Sequence, residues 1–461
     1  MEGAVMLNKT RKNGTTRCAI VAGLGRNAIA SATYLLDAGW DVEAADIRSN
    51  PYLEEKFRSA LPSVNIHVPL EPENLLHADL VVLSSTPAAN AKIGELAVQY
   101  DTEVLNSLDL FFQCRRAESI AIAGTNGKST VSSIVESIIS HHGGQVSLGG
   151  CRALPFAELL NGGDVDVHLI ELSAFHLEQV RSIDADIGVL LNVCPEHNES
   201  YEDFDEYAQI MGRAVNRAKY AVINRDDPVI YNMIPEATDG RNHVSFGLNR
   251  PSRETDYGIV DDDQGRWIVR GEDRLLNVND CVLAAAHREA NLLAACAVAD
   301  AAGYPVDNVK VAVEKFPGLP YRYTEEGNWN GVRWINDARS DNVGASIAAI
   351  EAGAEPVVLI TGGVAAGADF TEIPQQVNGK LRGCVVFGKD QIDIARRLSS
   401  VAKLEQADDI CQAIKVAQSI AKEGDRVVFS PGCMSFDMFT DYEHRGKTFR
   451  DELHIHFDEY N

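Results

Sequence analysis

No stretch of this 461-residue chain approaches the roughly 18 consecutive apolar residues of a membrane-spanning helix, so no membrane partner is expected. Positive charge is also scarce: 42 Lys and Arg against 67 Asp and Glu leave a net charge of −25. A nucleic-acid or anionic-lipid binder needs clustered positive charge, so nucleic acid is not expected as a partner either. A phosphorylated small molecule stays open, because a local site can be positive on an acidic protein. Cysteine is thinly spread. The nine, at 18, 114, 151, 194, 281, 296, 384, 411 and 433, make no CxxC pair, which indicates reduced thiols and neither a disulfide framework nor a zinc site. The opening MEGAVMLNKTRKNGTTR has no apolar segment of a secretory leader, and a cytoplasmic location is expected. Repeats and low-complexity tracts are absent. What is present, 45% hydrophobic and 24% charged residues, is ordinary for a globular protein, and the length suggests about three domains.

The pattern along the chain is α/β throughout. CAIVAGLGRNAIASATYLLDAGWDVEAAD, residues 18–46, reads as strand (Ala19–Ala22), glycine turn, helix (Ala28–Leu36) stopped by Gly39, and strand (Val42–Ala45). Leu80–Leu83 is a further strand of this first unit. A second start follows at Ser119 with strand, glycine loop and long helix; strands recur at Val167–Leu172, Ile187–Val193 and Tyr220–Ile223, and a helix runs from about Ala284 to Ala302. A third unit opens with EEGNWNGVRWIND, where Asn330-Gly331 predicts a hairpin turn, and continues with strands at Pro356–Thr361, Gly383–Gly388 and Arg426–Ser430. The expected boundaries are 1–112, 113–317 and 318–461.

The strongest motif is Gly124-Thr125-Asn126-Gly127-Lys128-Ser129-Thr130, after a strand and before a helix. Glycines let backbone N–H groups approach phosphate, Lys128 supplies a cation, the helix N-terminus favours an anion, and Ser129 or Thr130 supplies a hydroxyl for Mg²⁺. Ile122 stands where the general GxxxxGKS pattern expects its first glycine. Gly23-Leu-Gly25-Arg26-Asn-Ala28, with Asp46 about 20 residues on, suits a ribose or uracil edge. The same turn also serves plain helix–strand packing, and a dehydrogenase reading leaves the P-loop unexplained. Glu171 at a strand end and His197 in CPEHNES are candidate Mg²⁺ ligands, or solvated side chains. Asn291 on its helix faces either a nucleotide base or solvent. Arg322, Asp337 and the SPGCMSFD segment at 430–437 are polar points near strand ends of the third unit.

Together these residues resemble the Mur ligases, most closely the MurD-type glutamate ligases. GTNGKST, NVxxxH, the HxxxN helix, LPYR, WIND, TGGxxxGADF and SPxCxSFD appear in the family's order over essentially the whole chain. The resemblance implies an N-terminal Rossmann-like domain for a UDP sugar, a central P-loop ATPase and a C-terminal Rossmann-like domain for an amino acid. It implies a monomer using ATP and Mg²⁺ to join UDP-N-acetylmuramoyl-L-alanine to glutamate through an acyl phosphate, in peptidoglycan precursor synthesis. By that resemblance Gly124 to Thr130, Asn291, Arg322 and Asp337 hold ATP, with Lys128, Glu171 and His197 as catalytic groups. Ser129, Glu171 and His197 hold Mg²⁺. Gly25, Arg26, Asp46, Arg48, Ser173 and His176 hold the UDP sugar, and Arg339, Asp341, Ser435, Phe436 and Tyr442 hold the amino acid.

Several positions depart from the family pattern. The lysine that is carbamylated in the family is Met211 here, counting back from VINRDD. GGNIG reads GGCRA at 149–153, SSFQLE reads SAFHLE at 173–178, and the SPG loop reads SST at 84–86. In the amino-acid pocket NDSKATN reads NDARSDN at 336–342, and the lysine of GGxxKGADF is Ala366. A threonine and a lysine that hold the incoming α-carboxylate in the family thus become Asp341 and Ala366. Like charges at short range disfavour a carboxylate in that pose. Ser435 is kept, so glutamate is expected, with the L-enantiomer favoured. A D-glutamate ligase, a related ligase of another amino acid in a different pathway, and a non-catalytic nucleotide-binding relative are the alternatives.

Overall fold

The computed structural model describes residues 15–458 apart from 85–86, 152–153, 181–182, 196–200, 202, 239–241, 279–285, 307–308, 315–317 and 378. It contains three sheets in series. The first is wholly parallel, in the order Asn65–His67, Asp41–Ala45, Cys18–Ala22, Leu80–Leu83, Glu103–Asn106. Its strand order reverses beside Cys18–Ala22, and open α/β sheets bind ligands at such a switch point. The turn Gly23 to Gly25 sits there, and helix Arg26–Asp37 follows. Gly39 takes φ +82° just past that helix, as a C-terminal stop requires.

The second sheet has nine strands. Glu118–Ala123 lies between Val167–Leu172 and Ile187–Leu190, all parallel. Period-2 alternation splits the core. Ile120, Ile122, Leu169 and Val189 pack with helices Lys128–His141 and Ala286–Ala301 on one face. Ala121, Ala123, Ile170 and Leu190 pack with Leu108, Leu177, Tyr207 and Met211 on the other. One expectation is corrected in this unit. The strand expected over Ile187–Val193 ends at Leu190, because residues 192–194 leave the ladder to bond the glycine loop. The hairpin strands Tyr257–Asp262, Gly265–Arg270 and Asp273–Asn277 extend the sheet antiparallel. They carry charged residues at their ends and only short apolar runs, a weak signal in the sequence.

The third sheet runs Thr324–Trp329, Val332–Asn336, Arg426–Phe429, Val357–Gly362, Leu381–Phe387, Leu404–Gln406. The first pair is the hairpin expected at Asn330-Gly331. Both residues have positive φ, +54° and +73°, the geometry of the I′ turn whose twist matches its strands. The other pairs are parallel. No helix among the described residues is long and apolar enough to cross a membrane.

Candidate functional site

The glycine loop grows from the C-terminal end of a central strand. Gly124 has φ +151°, and a Cβ there would stand 2.8 Å from Leu191 Cβ; Gly127 has φ +89°, and its Cβ would meet Asn291 Oδ1 at 2.5 Å. Both positions therefore demand glycine. Gly127 caps helix Lys128–His141 without a side-chain bond, which leaves the first N–H groups for an anion. Lys128 Nζ donates to Gly124 O and to Thr125 O, the latter at 3.0 Å, and so lies folded across its own loop. Asn192 clamps Asn126 from both sides: Asn126 N donates to Asn192 Oδ1 at 2.8 Å, and Asn192 Nδ2 donates to Asn126 O at 2.9 Å. Thr125 Oγ1 accepts from Cys194 N and pairs with Tyr207 Oη at 3.0 Å, which makes it a brace of the loop.

Glu171 shares its strand face with Leu169 and points at the first turn of that helix. Its Oε2 accepts from Ser129 Oγ at 2.8 Å and its Oε1 from Ser132 Oγ at 2.7 Å. Ser129 and Ser132 sit at i and i+3, one above the other. A carboxylate that is 3% exposed and ringed by hydroxyls is a set of hard oxygen donors, and it fits Mg²⁺. His197, the third candidate ligand, lies outside the described residues.

Cations reach the loop from the third sheet. Arg322 Nη1 donates to Thr130 Oγ1 at 3.4 Å, and Arg339 Nη2 to Ser129 Oγ at 3.5 Å. Asn342 and Asn126 exchange amide bonds at 3.1 and 3.3 Å. Asp337 accepts from Tyr323 N at 2.9 Å, Ser430 Oγ at 3.0 Å and Ser340 Oγ. Burial nonetheless pushes its carboxyl up to about 6, with the three donors and Arg322 opposing. Asn291 lines the same cleft, whose volume is about 2020 Å³.

The Arg339 guanidinium also stacks 4.5 Å over the Tyr442 ring. Asp341 is exposed at the cleft, Ser435 is buried and Phe436 stands 72% exposed at the rim. Behind them Arg445 is fully buried. It donates to Ala338 O at 2.8 and 3.2 Å and to Cys433 O at 2.9 Å, so it ties the 336–342 segment to the 430–437 segment. Burial lowers its pKa to about 10, with the neighbouring Cys433 and Asp341 opposing. Arg445, Ser132 and Tyr207 were not singled out from sequence, and Asn192 was marked only as part of NVxxxH, with no role. Their partners lie between 3 and 107 positions away, and no local pattern gives those pairings.

Ser173 and His176 make a capping box at helix Ala174–Gln179. His176 Nδ1 accepts from Ser173 N at 3.3 Å and lies 3.8 Å from Cys151 Sγ, inside the cleft. Burial, with Lys128 adding to it, lowers its pKa to about 4, so it is neutral at pH 7. Four further candidates do not line this cleft. Gly25 caps the first helix; Asp46 is buried and accepts from Arg48 N at 3.0 Å. Arg26 pairs with Glu158 of the second unit at 3.5 Å. The four follow the C-terminal ends of the strands Cys18–Ala22 and Asp41–Ala45. Met211 is 1% exposed within the apolar core. Residues 85–86 and 152–153 of the altered loops lie outside the described residues.

The Mur ligase middle domain matches residues 122–299. The chain is 34% identical over 454 residues to the UDP-N-acetylmuramoylalanine–D-glutamate ligase of Nitrosococcus oceani, covering 96% of this chain and 98% of that one. It is 34% identical over 439 residues to that of Marinobacter nauticus, covering 94% and 97%. Among solved structures it matches a pseudomurein peptide ligase type C from Methanothermus fervidus, with TM-score 0.60 at 17% identity, covering 95% and 100%. It also matches the MurF ligase of Thermotoga maritima in complex with ADP, with TM-score 0.59 at 15% identity, covering 91% and 96%. These two likenesses show the fold. Three α/β sheets, a glycine loop facing arginines of the third sheet, and full-length identity above 30% lead to one conclusion: the chain belongs to the Mur ligase family and is of the MurD type.

Proposed function

We propose that this ATP-dependent ligase adds glutamate, the L-enantiomer in preference to the D, to UDP-N-acetylmuramoyl-L-alanine through an acyl phosphate. The observation that carries the reaction class is the convergence of Lys128, Arg322 and Arg339 on the hydroxyls and backbone of one glycine loop. Such a ring offsets charge on a phosphoryl group in transfer, where positioning and electrostatics do most of the catalysis. Residues 1–112 hold the UDP sugar, 113–317 the ATP, and 318–461 the amino acid. Gly25 supports the first assignment: with φ −82° and nothing within 4 Å of its would-be Cβ, packing does not require glycine, whereas close ligand approach does.

The substrate carboxylate attacks the γ-phosphorus of ATP, and ADP leaves with the electron pair. Lys128 swings off its loop carbonyls to the phosphate oxygens. Ser129 and Glu171, with His197, would hold Mg²⁺, which would neutralise polyphosphate charge. The amine of glutamate then attacks the acyl carbon, and phosphate leaves. Arg322 and Asp337 fix the nucleotide against the third unit, and the closed arrangement keeps water from the acyl phosphate.

The preference for L-glutamate rests on Asp341 and Ala366. Ser435 remains to receive the side-chain carboxylate, whereas the two α-carboxylate contacts of the family pattern are replaced by an anion and a methyl group. Inverting Cα with amine and side chain in place moves only the α-carboxylate and hydrogen. Arg339 lies toward Ser129 and Tyr442, which speaks against its standing in for the missing lysine. The D-glutamate reading is favoured by the names of the relatives. Phosphate release with UDP-N-acetylmuramoyl-L-alanine and each enantiomer decides: kcat/KM higher for L-glutamate is expected, and a clear preference for D-glutamate overturns the proposal.

A further inference from the structure

The first sheet carries a cluster that the ligase chemistry does not use. Cys18 opens strand Cys18–Ala22, and Glu43 lies in Asp41–Ala45. The ladder pairs Ile20 with Glu43, so Cys18 and Glu43 project from the same face. His77 arrives from the turn before Leu80–Leu83. One ligand atom from each of Cys18, Glu43 and His77 lies within 4.8 Å of the other two. Glu43 Oε2 pairs with His77 Nε2 at 3.0 Å and with His67 Nε2 at 2.8 Å. Cys18 N donates to Asp79 Oδ2 at 2.8 Å, which pins the strand end that carries the thiol. Cys18 is buried and His77 about half exposed, so the cluster is closed beneath and open to solvent above.

We propose that Cys18, Glu43 and His77 form a zinc site, with His67 orienting the carboxylate and water completing the fourth position. Thiolate, imidazole and carboxylate are a zinc donor set, and Mg²⁺ and Ca²⁺ prefer oxygen alone. His67 fills the role of the outer partners that hold ligating groups in place. The site is built from positions 18, 43 and 77, which is why cysteine spacing gave no sign of it. It stands apart from the glycine turn, which leaves the opposite end of the same strand, and from the ATP cleft. Its effect is to clasp the first two strands to the turn that enters a third. Binding displaces the Cys18 thiol proton to solvent and forms a Zn–S bond.

The test uses the full chain stripped by chelator and titrated with Co²⁺ as a spectroscopic stand-in. One equivalent should give a thiolate-to-cobalt charge-transfer band, which Zn²⁺ then bleaches. Zn²⁺ should also raise the thermal midpoint, since it binds the folded state. Cys18→Ser should abolish the band, and His67→Gln should weaken binding by roughly 10–100-fold. Cys151→Ser must leave the band in place, because Cys151 and His176 are a second thiol–imidazole pair in the cleft. A stripped wild-type protein without the band overturns the proposal whatever the variants do. So does a band that survives Cys18→Ser or disappears with Cys151→Ser.

Discussion

Lys128 donates to two carbonyls of its own partly buried loop, so its removal takes little from the fold. Lys128→Ala should lower turnover to under roughly a tenth, a loss above ~1.4 kcal/mol, with the melting temperature nearly unchanged. Turnover near the wild-type rate removes this lysine from phosphoryl transfer. Restoring the family's α-carboxylate contacts with the Asp341→Thr, Ala366→Lys double variant should move kcat/KM toward D-glutamate. Ala366 already sits at φ +47°, so lysine adds no new backbone strain there. His176 gives a pH prediction. Its folded pKa, about 4, is below the usual 6.5, so the stability it contributes is full above about 6.5 and is lost as pH falls toward 4. His176→Gln should flatten that part of the profile of melting temperature against pH; an unchanged slope assigns the loss to other groups.

At the scale of elements, helix Phe204–Asn216 shows what one substitution does to a site. Asp203 caps it through Glu206 N at 2.8 Å, and Tyr207 reaches from it to brace Thr125. Met211, one turn beyond Tyr207, is buried in the apolar core. A thioether has no amine to carbamylate, so removing CO₂ and bicarbonate should leave ligation and its Mg²⁺ dependence unaltered. Activity that falls on depletion and recovers on return identifies another lysine in that role. The helix itself follows from capping and amphipathic spacing. Its contact with the glycine loop does not, because residues 82 positions apart meet only once the sheet has formed.

At the scale of the whole molecule, bridges between the glycine loop and the third unit among the described residues include Arg322 to Thr130, Arg339 to Ser129 and the paired amides of Asn342 and Asn126. Arg322→Ala should lower kcat by more than roughly tenfold, since closure aligns the reacting groups, while ATP binding to the second unit weakens less. Small-angle scattering should show nucleotide-driven compaction in the wild type and less of it in the variant. Equal compaction in both assigns closure to the paired amides of Asn126 and Asn342.

The two strand–glycine–helix starts, the Asn330-Gly331 hairpin, the glycine loop and the strand-end position of Glu171 were legible in the linear chain. Each rests on local signals: period-2 and period-3.6 apolar spacing, and glycine where φ must be positive. The length of strand Ile187–Leu190, the antiparallel extension over 257–277 and the buried latch of Arg445 were not. They depend on which distant groups satisfy one another, as Asn192 does for Asn126 and Arg445 for Ala338. The same holds for the Cys18, Glu43 and His77 cluster, which exists because parallel strand order sets side by side residues that spacing keeps apart. Local sequence thus determined the elements and the glycine loop, whose residues are seven in a row. Only tertiary packing decided which arginines face that loop, which hydroxyls hold Glu171, and where the thiol of Cys18 meets its neighbours, because burial and hydrogen bonding act across space rather than along the chain.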